Sequence, residues 1–151
     1  MNVSRVIVGK TLAALQRAGE EGKEGIVLWL GNRFGADAGK VTQAYIPLHK
    51  AEKDRFWIPY EGMEALMARL RADRLALLAQ VHSHPGAAFH SEADDRWAIV
   101  RYVGALSIVV PGFARHTSPE TFIQHSAFFQ LAGNDSWLEV QPRHSVFEVT
   151  A

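Results

Sequence analysis

The sequence contains no cysteine, no excess of charge and no long apolar run, and each absence removes a class of protein. Without cysteine the chain forms no disulfide, and any metal site must be built from histidine and carboxylate side chains. Its 16 Lys+Arg and 16 Asp+Glu residues balance, whereas a dedicated nucleic-acid binder carries a basic stripe or patch. No run reaches the roughly 18 apolar residues that a membrane-spanning helix needs.

What is present is a chain with the size and composition of a globular domain. Its 151 residues, 48% of them hydrophobic, are enough to bury a sizeable core. We therefore expect a single domain over residues 1–151. The N-terminal residues lack the apolar core of a signal peptide. We expect a cytoplasmic protein that binds neither nucleic acid nor membrane.

The motif that organises the chain begins at His82 and ends at Asp94. An apolar run, Leu75–Val81, leads directly into His-x-His-Pro, and Ser-x-x-Asp follows after a short loop. Histidines two residues apart on a strand project to the same face. Ser91 has the position of a helix N-cap, and Asp94 the third helical position, so both can face one way. His82, His84 and Asp94 are thus predicted ligands that leave a fourth position open, as in catalytic zinc sites.

Taken together, these residues resemble the zinc motif of the JAMM metalloproteases, the catalytic branch of the MPN domains. That family also has a glutamate at the start of a strand, seven residues before a glycine, and Glu24 has this spacing to Gly31. Downstream, Ser107–Pro111 resembles the next strand of the family. The resemblance covers about residues 20–112. It implies an α/β domain with the cytidine-deaminase-like three-layer MPN/JAB fold, in which helices flank a mixed β-sheet.

The resemblance also implies a role for each matched residue. Zn²⁺ would be held by His82, His84 and Asp94. Glu24 would act first as general base and then as general acid. Ser91 would help to stabilise the tetrahedral oxyanion, in addition to capping its helix. Considered without the family pattern, Glu24 would be an ordinary solvated glutamate in an acidic stretch.

Several other residues compete for these roles or receive none. Asp95 is turned about 100° around the helix from Asp94 and is the poorer ligand candidate. His90 stands where the family more often has an apolar residue, and we expect it to line the cleft or lie on the surface. Trp29 and Trp97 are expected in the core. No role is assigned to the isolated histidines His49, His116, His125 and His144.

The activity implied is that of a zinc-dependent peptidase or isopeptidase that cleaves after the C-terminal tail of a ubiquitin-like protein. The chain is similar to stand-alone prokaryotic members found beside ubiquitin-like activating and conjugating enzymes, some in antiphage operons. The expected partners are therefore a ubiquitin-like substrate or its conjugate, and those cognate enzymes. A non-catalytic MPN scaffold is an alternative, disfavoured because all five positions are filled. Another is a zinc hydrolase of small amides, although deaminase sites need cysteine.

Periodicity and turn residues predict the elements around the motif. Strands are expected at 5–8, 25–30, 41–46, 56–58, 75–81 and 106–110, with a closing hairpin at 125–131 and 137–140. Helices are expected from Thr11 to Glu21, from 61 to 73 and from 92 to 102. The irregular stretches 50–57 and 112–124 are expected to flank the substrate groove, with 50–55 as a solvated loop.

Overall fold

The computed structural model describes residues 1–51, 56–143 and 146–151. The strands are β1 (Asn2–Ser4), β2 (Ile26–Asn32), β3 (Lys40–Tyr45), β4 (Lys50–Ala51), β5 (Phe56–Trp57), β6 (Ala76–Ser83), β7 (Leu106–Val110), β8 (Ala127–Leu131), β9 (Trp137–Glu139) and β10 (Glu148–Thr150). The helices are α1 (Arg5–Glu20), α2 (Tyr60–Asp73), α3 (Glu92–Trp97) and α4 (Phe122–His125), with a 3₁₀ turn at Gly112–Ala114. None of the helices described is both long and apolar enough to cross a membrane.

Within the described residues, eight strands form one mixed sheet in the order β10-β1-β3-β2-β6-β7-β8-β9, and β4 pairs with β5 separately. β2 lies antiparallel between β3 and β6, whereas β6 and β7 are parallel and connected through α3. β7, β8 and β9 are antiparallel neighbours. The predicted strand at 41–46 and the closing hairpin are confirmed.

The central strand β2 is buried on both faces and separates two apolar cores. Val27 and Trp29 belong to the core that α1 covers, whereas Ile26 and Leu28 belong to the core that α2 covers. This division follows from the alternation of side chains along a strand. The sheet therefore lies between helices, and the predicted fold class is confirmed.

The N-terminal helix α1 begins earlier than predicted. Residues 5–8 were expected to form a strand, but Ser4 caps a helix there, its hydroxyl accepting a hydrogen bond from Ile7 N at 3.3 Å. The apolar run in this stretch has only three residues, Val6–Val8, and so short a run fits either element, which is why the prediction was wrong. Thr11, at which the helix was predicted to begin, is fully buried inside it. Its hydroxyl donates to Ile7 O and accepts from Trp29 Nε1, both at 2.9 Å.

The helix α3 is shorter than predicted, because it ends at Trp97 instead of near residue 102. Ala98 is extended, with φ −53° and ψ 126°. Beyond it, the backbone N–H groups of Ile99 and Val100 donate to Gln80 Oε1 at 2.8 and 3.4 Å. Gln80 is fully buried in β6, and a buried amide oxygen needs donors. The helix therefore ends where Ile99 and Val100 donate to Gln80 instead of bonding within the helix.

The remaining differences concern short strands. Lys50 and Ala51 form β4 instead of the start of a solvated loop, while residues 52–55 lie outside the described residues, as does His144. β10 was not predicted. It pairs in parallel with β1, with Val149 opposite Val3, and extends the edge of the sheet.

Candidate metal centre

The end of β6 and the start of β2 bring the distant residues of the motif together. His82 is the penultimate residue of β6, and His84 follows the strand directly. Ser83, between them, fastens the segment that carries Glu24. Its hydroxyl accepts from Gly25 N, and its own N–H donates to Gly25 O, both at 3.1 Å. Glu24 is thereby held beside the two histidines.

The side chains of His82, His84 and Asp94 converge on one point. Their potential ligand atoms all lie within 4.8 Å of one another, and all three residues are buried. His82 Nε2 is 3.1 Å from Asp94 Oδ1, and His84 Nε2 is 3.2 Å from Asp94 Oδ2. Atoms bound to one tetrahedral ion by bonds of about 2.0–2.2 Å are roughly 3.3–3.6 Å apart. The two measured spacings, each to a different oxygen of Asp94, are close to these values, and the whole set lies within 4.8 Å.

The ring of His82 supplies an independent test of that fit. Both of its nitrogens are buried, and neither makes a hydrogen bond with any of the described residues. The approach of Nε2 to Asp94 is therefore a close contact without hydrogen-bond geometry. Buried polar atoms in native proteins are almost always satisfied. Coordination of a metal ion would satisfy this nitrogen, so the residues present fit the metal ion that the arrangement implies.

Ser91 and Asp94 form a capping box that fixes the carboxylate. The backbone N–H and the hydroxyl of Ser91 both donate to Asp94 Oδ2 at 2.8 Å, and Asp94 N donates back to Ser91 Oγ at 3.1 Å. Oδ1 is the oxygen that faces His82. Although burial would raise it, contact with His82 and His84 holds the pKa of the Asp94 carboxyl well below its usual range. The carboxylate is therefore ionised and aimed at the histidines.

Glu24 lies immediately beside the ligand set. It is only 2% exposed, which excludes the alternative that it is a solvated surface glutamate. Its Oε1 is 3.8 Å from His84 Nε2, and it lines a cleft of about 590 Å³ whose walls include Arg17, Lys23 and Lys50. Burial lowers the pKa of His84, but contact with Asp94 and the charge of Glu24 raise it by more. A carboxylate at this position can exchange protons with a group bound at the centre.

Asp95 and His90 contact each other instead of joining the ligands. Asp95 Oδ1 is 2.5 Å from His90 Nδ1, and His90 Nε2 is 2.9 Å from Ser107 Oγ. The His90 side chain is only 4% exposed and packs against Phe129 and Trp137, with ring centroids 4.8 and 5.1 Å away. Burial lowers the pKa of this imidazole. The expectation that His90 lines the cleft or lies on the surface is therefore wrong.

An apolar groove of about 460 Å³ adjoins the centre, and the last two residues of the stretch 50–57, which was expected to flank a substrate groove, line it. It is lined by Phe56, Trp57, Ile58, Ala93, Trp97 and Ile99. The Phe56 ring lies 5.5 Å from that of His82, which connects the groove to the ligands. Trp97 is 60% exposed, so its predicted place in the core is wrong, whereas Trp29 is buried as predicted. The tryptophans Trp57 and Trp97 could have indicated an apolar groove. In a helix as short as α3, however, the sequence does not reliably show which residues face the core.

The segment 112–124 was also expected to flank the groove, and it has a different position. None of its residues lines the groove or the cleft at Glu24. Instead, Phe113 N donates to His84 O at 2.8 Å and Gly112 N donates to Gly86 O at 2.9 Å. The segment supports the backbone of the loop after β6 from behind.

Known sequences agree with this geometry. The family described as prokaryotic homologs of the JAB domain matches residues 8–122. The chain belongs to this prokaryotic JAB family. A relative named probable metalloprotease y4jG, from Sinorhizobium fredii (strain NBRC 101917 / NGR234), is 37% identical over 139 residues, which cover 90% of this chain and 84% of that protein.

Solved structures support the JAB fold. The solution structure of protein DSY2949 from Desulfitobacterium hafniense matches with a TM-score of 0.68 and 18% identity, over 99% of this chain and 93% of that one. The crystal structure of AF2198, a JAB1/MPN domain protein from Archaeoglobus fulgidus, matches with a TM-score of 0.55 and 16% identity, over 99% and 100% of the two chains. At such identities the likeness concerns the fold alone.

Proposed function

We propose that this JAB protein is a zinc-dependent peptidase or isopeptidase that cleaves after the C-terminal tail of a ubiquitin-like protein, in processing or deconjugation. The family and the buried group of two histidines and one aspartate support a metallopeptidase. The observation that carries the proposal is the buried carboxylate of Glu24, 3.8 Å from His84 Nε2. A ligand set with an acid–base group at its side is what metal-assisted hydrolysis requires.

Each residue has a defined role in the proposed reaction. A zinc ion held by His82, His84 and Asp94 would supply Lewis acidity, which makes water nucleophilic near neutral pH and polarises a carbonyl. Glu24 accepts the proton of the attacking water and delivers it to the leaving amine. The Ser91 hydroxyl, held at the start of α3, turns its one proton from Asp94 Oδ2 to the oxyanion as negative charge develops there, while Ser91 N keeps its own bond to Asp94 Oδ2.

Zinc is the metal that the ligand chemistry favours. Two imidazoles and one carboxylate are the ligands of many catalytic zinc sites, in which a fourth position remains available for reaction. Oxygen-only ligand sets suit magnesium or calcium, and thiolates are absent because the chain has no cysteine. The spacing near 3.1 and 3.2 Å also suits a small tetrahedral site.

The surroundings of the centre support an extended peptide as substrate. The groove bounded by Trp57 and Trp97 is open and apolar, and it leads to the ligands through Phe56. β4 and β5 form a separate two-stranded sheet, and both residues of β5 line the groove. An extended tail can bind beside such strands, because pockets take its alternate side chains. The tail of a ubiquitin-like protein is such an extended peptide. The further partners we propose are the activating and conjugating enzymes of a cytoplasmic ubiquitin-like pathway, which could serve in antiphage defence.

The experiment is to incubate the purified protein with fusions of ubiquitin-like proteins encoded near its gene and to weigh the products by mass spectrometry. Cleavage directly after the tail is expected, with loss of activity in a zinc chelator and recovery on adding zinc. Thiol reagents should have no effect, because the chain has no cysteine. Cleavage that persists in chelator refutes the metal mechanism. Hydrolysis of small amides without cleavage of any fusion refutes the proposed substrate.

A further inference from the structure

A chain of polar side chains connects both ends of α3 to the sheet. At the N-terminal side, His90 bonds Asp95 through Nδ1 at 2.5 Å and Ser107 through Nε2 at 2.9 Å. Ser107 accepts from Gln80 Nε2 at 3.1 Å. At the C-terminal side, Ile99 N donates to Gln80 Oε1 at 2.8 Å. One continuous path therefore runs from β6 and β7 to the residues just before and just after the helix.

The direction of every hydrogen bond in this path can be assigned. The backbone N–H of Ile99 is a donor, so the amide oxygen of Gln80 faces it and the amide nitrogen donates to Ser107. Asp95 is an acceptor, so the neutral His90 ring carries its proton on Nδ1 and accepts at Nε2. The hydroxyl of Ser107 then donates to that Nε2. Each donor in the path has one acceptor.

The path matters because α3 is short and mostly exposed, although Arg101 Nη1 also donates to Asp95 O at 2.7 Å. It has six residues, and isolated helices of this length are marginal in water. Asp94 is its only buried member, while Trp97 at its end is 60% exposed. Gln80 precedes His82 by two residues in β6, so both side chains project to the same face of the sheet. The path thus links the element that carries the carboxylate to the strand that carries a histidine.

We propose that His90 is a positioning residue which, through Asp95 and the buried pair Ser107 and Gln80, fixes α3 so that the Asp94 carboxylate meets the two histidines. This inference rests on the proposed role of that carboxylate as a metal ligand. His90 itself does not bind the metal or the substrate. It acts as residues around metal ligands generally do, by fixing the position of a ligand, and such partners commonly change metal affinity by about 10–100-fold.

The experiment measures metal binding directly, by competition of zinc with a chromophoric chelator and by the visible d–d spectrum of the Co²⁺-substituted protein. We expect His90→Ala to weaken zinc binding by about 10–100-fold and to alter the Co²⁺ spectrum. Asp95→Ala should act in the same direction by about tenfold, whereas Asp95→Asn, which keeps the acceptor oxygen, should be close to wild type. The double variant His90→Ala/Asp95→Ala should be no worse than His90→Ala, because both changes break one path.

Glu92→Ala is the control matched to Asp95→Ala. Like Asp95, Glu92 is an exposed acid in the first turn of α3, and its replacement by alanine removes the same single negative charge. It should leave zinc affinity and the spectrum unchanged. The Asp95 side chain is 55% exposed, so Asp95→Ala should fold even if the cavity left by His90→Ala does not allow folding. His82→Ala gives the response of a lost ligand.

Folded His90→Ala and Asp95→Ala proteins with unchanged zinc affinity and spectrum overturn the inference, even if their melting temperature falls, because His90 is then merely a packed side chain. An Asp95→Asn protein as weak as Asp95→Ala also overturns it, since charge would then matter more than position. A wild-type protein that binds no zinc overturns the proposed function and this inference together. If the wild type binds zinc normally but has no peptidase activity, and the variants bind zinc weakly, the proposed function is overturned while the inference about His90 holds.

Discussion

Replacing Glu24 by Gln tests the proposed chemistry with the least disturbance of the structure. The amide has nearly the same volume as the carboxylate, so a side chain that is 2% exposed is replaced without a cavity. It cannot accept a proton from water. Glu24 lies outside the group of His82, His84 and Asp94, with Oε1 3.8 Å from His84 Nε2. The variant should therefore retain the metal.

The size of the effect follows from the step that is lost. General acid–base catalysis by a positioned side chain contributes about 10²–10⁴-fold, which corresponds to roughly 3–5 kcal/mol of activation free energy. Glu24 is proposed to act twice in each turnover, so we expect a loss toward the upper end. The assay is the initial rate of cleavage of a ubiquitin-like fusion under zinc saturation, together with the zinc content of the same preparation.

The matched control is Glu21→Gln, because Glu21 lines the same cleft as Glu24 but is 67% exposed and paired with Lys23 at 2.9 Å. It removes an equal charge near the centre and should leave the rate within about twofold, as expected for a solvated charge. The reasoning is refuted if Glu24→Gln retains full activity, since another group is then the base. Loss of zinc in Glu24→Gln would instead make Glu24 a ligand.

Two further predictions concern the groove and the core. Trp97→Ala should raise KM roughly fivefold to tenfold with little change in kcat, because it removes an exposed substrate contact remote from the reacting atoms. Steady-state kinetics measures both constants, and an unchanged KM would mean that the substrate does not bind in this groove. Thr11→Val should lower the free energy of unfolding by about 1–3 kcal/mol in urea, because Trp29 Nε1 loses its buried acceptor. Thr11→Ser keeps the hydroxyl and should lose less.

The parts of the site that follow local rules could be predicted from the sequence. Alternation along a strand places His82 and His84 on one face, and the capping box places Asp94 beside Ser91, so each half of the centre is encoded within a few residues. The structure brings both halves together. Glu24 is different, because only the family spacing singled it out, and its contact with His84 depends on the pairing of Gly25 with Ser83.

The features that were predicted wrongly depend on partners distant in the chain. The first helix begins at Arg5, directly after its cap Ser4, and Thr11 lies inside it, where its hydroxyl accepts a hydrogen bond from Trp29 of β2. The local sequence pattern around Thr11 does not show that a distant tryptophan will donate a hydrogen bond to it, nor that this side of the helix faces β2. His90 was expected to line the cleft or to lie on the surface. Its burial requires Phe129, which comes from a strand much later in the chain.

The early end of α3 shows how such a distant partner shapes the centre. If the helix continued to residue 102, the N–H of Ile99 would bond within the helix, and Gln80 would lose its donor inside the sheet. An unsatisfied buried amide is unfavourable by about 1–3 kcal/mol, more than one turn of exposed helix gains. Ending the helix satisfies Gln80 and anchors α3 beside β6. The position of Asp94 is then set before any metal binds, so less of the binding free energy is needed to assemble the ligands.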